Sequence, residues 1–308
     1  MTRPGGPDAL RELDLAAEPI GPGQVRIRVT SATVNPVDAM IRARPRQDEA
    51  DEADAVRVPG MEVAGVITEI GPAVDRPFTI GDAVMAIVVP SGEHGGYRAD
   101  LVVPARSVAR IPAGLSHAQA ATVPMNGLTA QLALDTLALP AGATVAVTGA
   151  AGSVGGYFVQ LAKLAGLVVV ADAARQDETF VRDCGADEIV PRGDDFAAEV
   201  RRRHPGGVDG LLDAAALEAA ALPAVKDGGT VVTVRGYQGD GTDRVRVVPI
   251  FVRDYVEAAA ELDRLAALAG DGRLTVRVAG RLPAARAADA HRSLERRGVR
   301  GRFVLRFD

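Results

Sequence analysis

The segment Thr144-Val-Ala-Val-Thr-Gly-Ala-Ala-Gly-Ser-Val-Gly155 constrains this chain more than any other. A short run of mostly β-branched residues, the composition of a buried strand, enters Gly149. Gly152 and Gly155 then open a stretch in which Val154, Phe158, Leu161 and Ala165 share one helical face. Such a bend needs glycine where a side chain would keep the backbone from a phosphate. The helix that follows aims its free N–H groups and its positive end at the same point. Gly149, Ala150, Ala151, Gly152, Ser153, Val154 and Gly155 are therefore the expected seat of a dinucleotide pyrophosphate. A tight strand-to-helix turn without a ligand is the competing reading. About twenty residues beyond the loop, Asp172 ends the next apolar run, where a carboxylate commonly binds the adenosine ribose hydroxyls. An acid there favours NAD(H), because it repels a 2′-phosphate. Arg175 can instead pair with such a phosphate. For both residues, surface charge after a strand is the plain alternative.

The chain around this loop alternates strand and helix. Strands are expected at Thr144–Thr148, Val168–Ala171, Glu188–Val190, Gly210–Asp213 and Thr230–Val234. Helices are expected at Val154–Ala165, Glu178–Cys184, Phe196–Arg203 and, briefly, Leu217–Val225. That spacing implies right-handed crossovers and a doubly wound parallel sheet of the Rossmann kind. Residues 20 to 118 read differently, as short strands (Gln24–Thr30, Val63–Ile70, Ala83–Val89, Ala99–Val103, Ser107–Ile111) punctuated by Gly60, Gly71-Pro72, Gly81-Asp82 and Gly95-Gly96. Ser116 is placed to cap a helix over Ala118–Val123, with another over Leu128–Leu137. Toward the C-terminus we expect a strand at Arg244–Val252, a helix at Tyr255–Leu268, strands at Leu274–Val278 and Arg302–Phe307, and a helix at Ala284–Arg296 between them. The expected fold class is α/β: a β-rich domain from 1–117 and 271–308, and a dinucleotide-binding Rossmann domain from 118–270. Arg42–Arg57 is charged and aperiodic, and is expected to be an exposed loop.

Composition removes several function classes. Trp is absent, aromatics make up 4% and the formal charge is −5, so neither base-stacking platforms nor a phosphate-tracking stripe is available. No nucleic-acid partner is expected. Cys184 stands alone, which rules out a disulfide framework or a cysteine-rich zinc knuckle within one chain and suits a reducing cytoplasm, the expected location. Met1–Leu10 lacks the apolar stretch of a signal peptide. Runs such as Val84–Val89 and Leu167–Ala171 are far shorter than the roughly 20 residues that span a bilayer, so no membrane partner is expected either.

Several motifs, in order along almost the whole chain, give the sequence a family likeness. They are Gly21-Pro-Gly-Gln-Val-Arg-Ile-Arg-Val, Val34-Asn-Pro-Val-Asp38, Val58-Pro-Gly-Met-Glu-Val-Ala-Gly65, Gly81-Asp-Ala-Val, Gly95-Gly-Tyr97, Asn126-Gly-Leu-Thr-Ala130, the glycine loop, Gly185-Ala-Asp-Glu and Gly298-Val-Arg-Gly-Arg. Together they resemble the medium-chain dehydrogenase/reductase superfamily, in its zinc-free quinone oxidoreductase-like branch, whose catalytic domain has a GroES-like fold. Zinc alcohol dehydrogenases carry Gly-His-Glu where this chain has Gly60-Met61-Glu62, and a cysteine where it has Asn35. A thioether and an amide replace imidazole and thiolate poorly around Zn²⁺, so no zinc is expected.

The resemblance implies hydride transfer from NAD(P)H to a quinone or an α,β-unsaturated carbonyl, acceptors that already delocalise charge. It places Asn35 near the nicotinamide and substrate, and Thr129 near the carboxamide. Asn35 before Pro36 can equally build a turn, and Thr129 can pack within its helix. Tyr97 can donate a hydrogen bond or serve as a half-buried structural tyrosine, Asp38 fixes the local turn, and no general acid stands out. Relatives in this branch prefer NADPH, so NADP(H) is favoured and NAD(H) is the alternative. Two departures from the same likeness are expected: no strand like the one that normally precedes Gly5-Gly6-Pro7, and a loop at Arg42–Arg57 that is acidic and polar where many relatives are apolar. The apolar strand at Arg244–Val252 would edge the Rossmann sheet and invite pairing with its twin in a homodimer, although Pro249 lies within it. The rival reading is a catalytically idle dinucleotide-binding or redox-sensing protein.

Overall fold

The computed structural model describes residues 4–44, 56–239, 241, 244–296 and 298–307. Its contacts divide the chain into two units, Met1–Met125 with Arg253–Gly272 and Val276–Asp308, and Asn126–Val252 with Arg273–Thr275.

The first unit is built on β1 (Gln24–Val34), in which Val25, Ile27 and Val29 are buried and alternate with Gln24, Arg26 and Arg28. The alternation stops at Thr30, and so did the sequence reading, yet the strand runs on through Ser31–Val34 with every residue buried. Thr33 continues the buried strand because its hydroxyl finds a partner, donating to the Glu62 carboxylate at 2.6 Å. Helix α1 (Pro36–Ala43) follows, its entry fixed by the Asn35 N–H donating to Asp38 at 2.8 Å. Arg42 therefore lies in a helix and is 4% exposed, not in the exposed loop expected from Arg42 to Arg57. Polar sequence misled there because the guanidinium is satisfied internally; residues 45–55 of that stretch lie outside the described residues.

Strands β2 (Glu62–Ile70), β3 (Ala83–Ile87), β4 (Asp100–Pro104) and β5 (Val108–Arg110) come next, then the short helix α2 (His117–Ala120), capped by Ser116 as expected. Helix α3 spans Pro124–Leu137. The second unit contains β6 (Thr144–Thr148), α4 (Ser153–Leu164), β7 (Val168–Ala173), α5 (Glu178–Asp183), β8 (Glu188–Pro191), α6 (Phe196–Arg203), β9 (Val208–Asp213), β10 (Val225–Thr233) and β11 (Arg246–Pro249). The short helix expected at Leu217–Val225 is a 3-10 run over Glu218–Ala224. The chain closes with α7 (Ala259–Gly270), β12 (Val278–Pro283), α8 (Ala287–Glu295) and β13 (Arg302–Arg306).

In the first unit, seven strands form one sheet in the order β12-β13-β1-β2-β3-β5, with β4 also on β1. All pairs are antiparallel except β12 with β13. The strand expected at Leu274–Val278 does not form; β12 begins at Val278 and pairs through Pro283. Helix α7 packs on β5, and Arg76 grips Asp263 with two bonds of 2.8 Å, so residues 253–272 group with this unit rather than with the dinucleotide-binding domain in which the sequence placed them.

The second unit is a six-stranded parallel sheet in the order β11-β10-β9-β6-β7-β8. Counted within the unit this is the doubly wound 3-2-1-4-5-6 order, and the winding reverses between β6 and β9. Ligands of such sheets bind beyond the carboxyl ends of the strands at that reversal. Here those ends carry the glycine loop, Asp172 and Asp213.

Candidate functional site

In the second unit, β6 delivers the chain to Gly149, which takes a left-handed φ of 69° and starts the loop. The Gly152 N–H returns to the Gly149 carbonyl at 2.8 Å, and α4 begins at Ser153 with Gly152 as its N-cap, without a capping side chain. The first-turn amides of a helix have no intrahelical acceptor, and the dipole adds partial positive charge there. Close packing fixes where they stand: a Cβ on Gly155 would lie 2.3 Å from the Gly149 oxygen. By contrast, a Cβ on Gly152 would meet only the Gly149 oxygen, at 3.1 Å. Space over the helix start is thus kept open at the residue nearest the amides. Beside it the Ser153 hydroxyl oxygen is buried and has no hydrogen-bond partner among the described residues. A buried orphan hydroxyl costs free energy unless a ligand supplies its partner. Open space, free donors and an orphan hydroxyl at one helix start fit a dinucleotide diphosphate.

Two carboxylates brace the carboxyl ends of the strands here, one of them on the loop itself. Asp172, 3% exposed, accepts the Ala150 N–H at 2.9 Å. Burial pushes its carboxyl above the usual range, against the pull of the Ala150 and Gly149 amides and of Arg192. The strand runs one residue past it, to Ala173. Asp213, at the end of β9, accepts the Thr148 hydroxyl at 2.6 Å and the Leu217 and Glu218 amides at 3.0 and 2.7 Å, while Thr148 accepts the Ala215 N–H at 3.0 Å. These bonds pin the turn after β9, where Ala216 and Glu218 sit at left-handed φ of 57° and 55°, a strained conformation for residues with a Cβ. Thr129 lies in α3, 6% exposed, and Arg175 is exposed at the start of a 3-10 turn after β7.

In the first unit the candidate residues belong to two connected polar clusters. Asn35 is fully buried, and its side chain is committed: its amide donates to Thr33 at 3.1 Å and to Glu62 at 2.9 Å, and its oxygen accepts from Arg302 at 2.7 Å. Glu62, also fully buried, accepts in addition the Met125 N–H at 2.8 Å. Asp38 takes the Asn35 and Gly60 amides at 2.8 and 2.9 Å, so it does fix the turn. Burial pushes Asp38 up to about 7 and raises Glu62 as well, with their hydrogen bonds and Arg302 opposing the rise.

The second cluster centres on His291, which is fully buried on α8. Its Nδ1 lies 3.0 Å from an Arg42 guanidinium nitrogen and its Nε2 lies 3.0 Å from the Tyr97 hydroxyl. A guanidinium can only donate, so Nδ1 must carry the lone pair and Nε2 the hydrogen. The imidazole therefore donates to the Tyr97 oxygen. Tyr97 reaches this position because Gly60, at φ 106°, lets the chain pass: a Cβ there would come within 2.6 Å of the Tyr97 ring. Arg42 is held further by the Gly5 carbonyl and by Glu295.

Burial first, and then the Arg42 charge, lower the His291 pKa to about 4. The folded value lies below the unfolded one, near 6.5. The stabilisation is thus complete above pH 6.5 and is lost as pH falls toward 4. Relative to His291→Gln, which keeps one acceptor and one donor, the wild type should lose about 3 kcal/mol more stability between pH 7 and pH 4. Asp38 has the opposite sign, its raised carboxyl favouring the folded state as pH drops, so the comparison between the two proteins isolates the histidine. Urea unfolding at the two pH values measures the difference; parallel losses would refute the assignment.

Comparison with known proteins matches two long stretches of the chain to dehydrogenase families. Residues 21–113 match the family model described as the alcohol dehydrogenase GroES-like domain, and residues 184–305 match that described as zinc-binding dehydrogenase. An NADPH-dependent alkenal/one oxidoreductase of Arabidopsis thaliana chloroplasts is 30% identical over 312 residues, covering 98% of this chain and 77% of that protein. The chain belongs to the medium-chain dehydrogenase/reductase superfamily. It is an oxidoreductase, and its relatives are named as NADPH-dependent alkenal/one and quinone oxidoreductases. A mycobacterial quinone oxidoreductase superposes with a TM-score of 0.80 at 27% identity, covering 99% of this chain and 98% of that one. A pikromycin polyketide synthase component of Streptomyces venezuelae is 37% identical over 225 residues, which is 71% of this chain but only 6% of that protein.

Zinc, named in one family description, does not fit the residues of this oxidoreductase. Asn35 and Met61 offer an amide and a thioether, and both Glu62 oxygens already accept hydrogen bonds. Among the described residues no group of three His, Cys, Asp or Glu side chains could hold a metal ion. No helix among them is long and apolar enough to cross a membrane. Sequence reasoning missed Thr148, Asp213, His291 and Arg302. For Asp213 a signal existed, an acid ending a strand that neighbours β6, and Arg302 stood within the Gly298-Val-Arg-Gly-Arg motif without a role; for His291 there was none, because its partners lie more than 190 residues away in sequence.

Proposed function

We propose that the chain is an NADPH-dependent reductase acting on a quinone or an α,β-unsaturated carbonyl. The observation that carries the reading is the buried, unpartnered Ser153 hydroxyl beside the open face of Gly152 at the winding reversal of the sheet. The names of the relatives supply the substrate class. When bound, NADPH supplies the hydride. The amides of Ser153, Val154 and Gly155 and the Ser153 hydroxyl hold its diphosphate, and Asp172 keeps the loop in place by accepting from Ala150. Thr129 is assigned to the carboxamide. Tyr97, whose oxygen is taken by His291, keeps its own proton and lends it as a hydrogen bond to the developing oxyanion of the acceptor. Asn35 spends its side chain on Arg302, Glu62 and Thr33, so we assign it to positioning rather than to substrate contact.

The test is direct. Purified protein mixed with NADPH and a panel of quinones, alkenals and enones should oxidise the nicotinamide only when an acceptor is present. Tyr97→Phe should lower kcat about tenfold or more while leaving NADPH affinity unchanged. Tight NADPH binding with no turnover across the panel would replace this reading by that of an idle dinucleotide-binding protein.

A further inference from the structure

We propose that a cavity wholly within the first unit seats the apolar body of a neutral carbonyl compound, with Tyr97 as its hydrogen-bond donor. The proposal rests on the reductase reading for the kind of carbonyl compound, a quinone or an enone. It adds the place and the side chains that hold it.

The cavity has a volume of about 450 Å³, and every residue lining it belongs to the first unit. Small-molecule sites commonly fall between about 300 and 1,000 Å³. Its apolar walls come from three places. Residues 10–20, which belong to no helix or strand, bring Leu13 and Leu15 to one side. The start of α8 and the turn before it supply Ala284, Ala285, Ala287 and Ala288, whose single-carbon side chains leave the volume unfilled. Leu305 and Phe307, at the end of the chain, close the third side. Scattered exposed apolar residues need no explanation, but Leu13, 44% exposed, borders this cavity.

The charged residues around it argue for a neutral occupant. Each arginine at the cavity is spent on carbonyls of the chain: Arg11 on Asp8 and Leu10, Arg57 on Arg44, and Arg98 on Ala16, Glu93 and Asp100. The Asp100 carboxylate is paired with Arg26 at 2.6 Å. Glu12 and Asp14 are exposed and would repel an anion. An ionic ligand would therefore have to break bonds that the chain already makes, whereas an apolar one would not.

Tyr97 also lines the cavity and supplies its one uncommitted polar group. Arg42 occupies Nδ1 of His291, so Nε2–H donates to the Tyr97 oxygen at 3.0 Å and the phenolic hydrogen is turned away from the imidazole. Among the described residues the Tyr97 hydroxyl makes no second hydrogen bond. Burial holds the phenol well above its usual pKa, so the hydrogen stays in place at neutral pH. A donor left over at an apolar cavity calls for an acceptor, and a carbonyl oxygen accepts without bringing charge. The buried Arg42–His291 pair thus sets which way Tyr97 donates, and the alanine-walled space beside it takes the rest of the molecule.

Binding without turnover tests this. Saturated straight-chain methyl ketones, which lack the conjugated double bond, are titrated into the protein by ligand-detected NMR with no nicotinamide present. Affinity should rise about fourfold for each added CH₂ until the cavity is full. Tyr97→Phe should weaken every ketone about fivefold, through the one lost hydrogen bond. Ala288→Phe should leave the shortest ketone within about twofold and weaken the longest at least about tenfold, since the ring takes the room of two or more CH₂ groups. Leu13→Asn, a change at an exposed residue outside helix and strand, should weaken the long ketones about threefold without unfolding the sheet. If the folded wild type binds no ketone, or if Ala288→Phe and Leu13→Asn both leave the chain-length series unchanged, the cavity site is overturned. The reductase reading then still stands or falls on NADPH oxidation. If the ketones bind with the expected variant pattern but no quinone or enone oxidises NADPH, the site stands and the reductase reading falls.

Discussion

Gly152→Asp should reduce NADPH affinity at least about a thousandfold while the apoprotein melts at or slightly above the wild-type temperature. The two effects have one cause seen from opposite sides. Gly152 is the N-cap of α4, has an ordinary extended backbone (φ −80°, ψ 177°) and provides no capping side chain. An Asp at that position satisfies a first-turn amide and places a negative charge at the positive helix end, each a stabilising change of a few tenths to about 1 kcal/mol. The only atom its Cβ would crowd is the Gly149 oxygen at 3.1 Å. The same carboxylate would stand where the diphosphate belongs. Unit charges about 4 Å apart repel by about 4 kcal/mol at an effective dielectric of 20, equivalent to roughly a thousandfold in affinity. On the proposed reading, glycine at this N-cap forgoes helix stability to keep an anion site open. Calorimetric titration with a parallel melting curve reads both numbers. Full NADPH affinity in a folded variant would show that the diphosphate does not rest on this helix start; a large drop in melting temperature would show that the loop cannot take a Cβ.

The parts of the molecule that were legible in the sequence are those written in local pattern. The unit around the glycine loop reads from residue 144 to residue 234 because each strand is an apolar run and each crossover has its own helical face. The doubly wound order follows from handedness and alternation. The first unit was harder, since its strands are short and its sheet is completed by β12 and β13 from the other end of the chain. Thr33 and Ser31 look like the end of a strand; the burial of Thr33 becomes sensible only once Glu62 faces it. Arg42 looks like the first residue of a polar loop, and nothing nearby in sequence announces His291 or Glu295. At the site the same distinction holds. The loop and its acid are local and were visible. What Asp172 does with its carboxylate was not, because an acid that braces a loop and one that binds a ribose have the same position in the sequence.

The buried cluster around Glu62 should be the most fragile point of the first unit, and Glu62→Leu should cost about 3–5 kcal/mol of stability. Glu62 takes the place of the last residue in the Gly-His-Glu of zinc dehydrogenases, yet its carboxylate is occupied by the chain itself: the Thr33 hydroxyl and the Asn35 amide on one oxygen, the Met125 N–H on the other. Leucine of similar size fills the volume but removes the acceptor of three buried hydrogen bonds, and Arg302 loses a carboxylate whose charge it offsets. Each orphaned donor costs about 1–3 kcal/mol, so the sum is bounded below by any one of them and relieved only if the cluster admits water. Glu62→Gln separates charge from hydrogen bonding. Its carbonyl oxygen can still accept from Thr33 and Asn35, whereas its NH₂ group would face the Met125 N–H, donor against donor. The loss expected is therefore smaller, about 1–3 kcal/mol. Urea unfolding of the two variants at pH 7 gives the order wild type, Gln, Leu in falling stability. If Leu proved as stable as the wild type, the donors would have other acceptors and the carboxylate would be dispensable to the fold. Its burial would then have to be explained by what it does for a substrate.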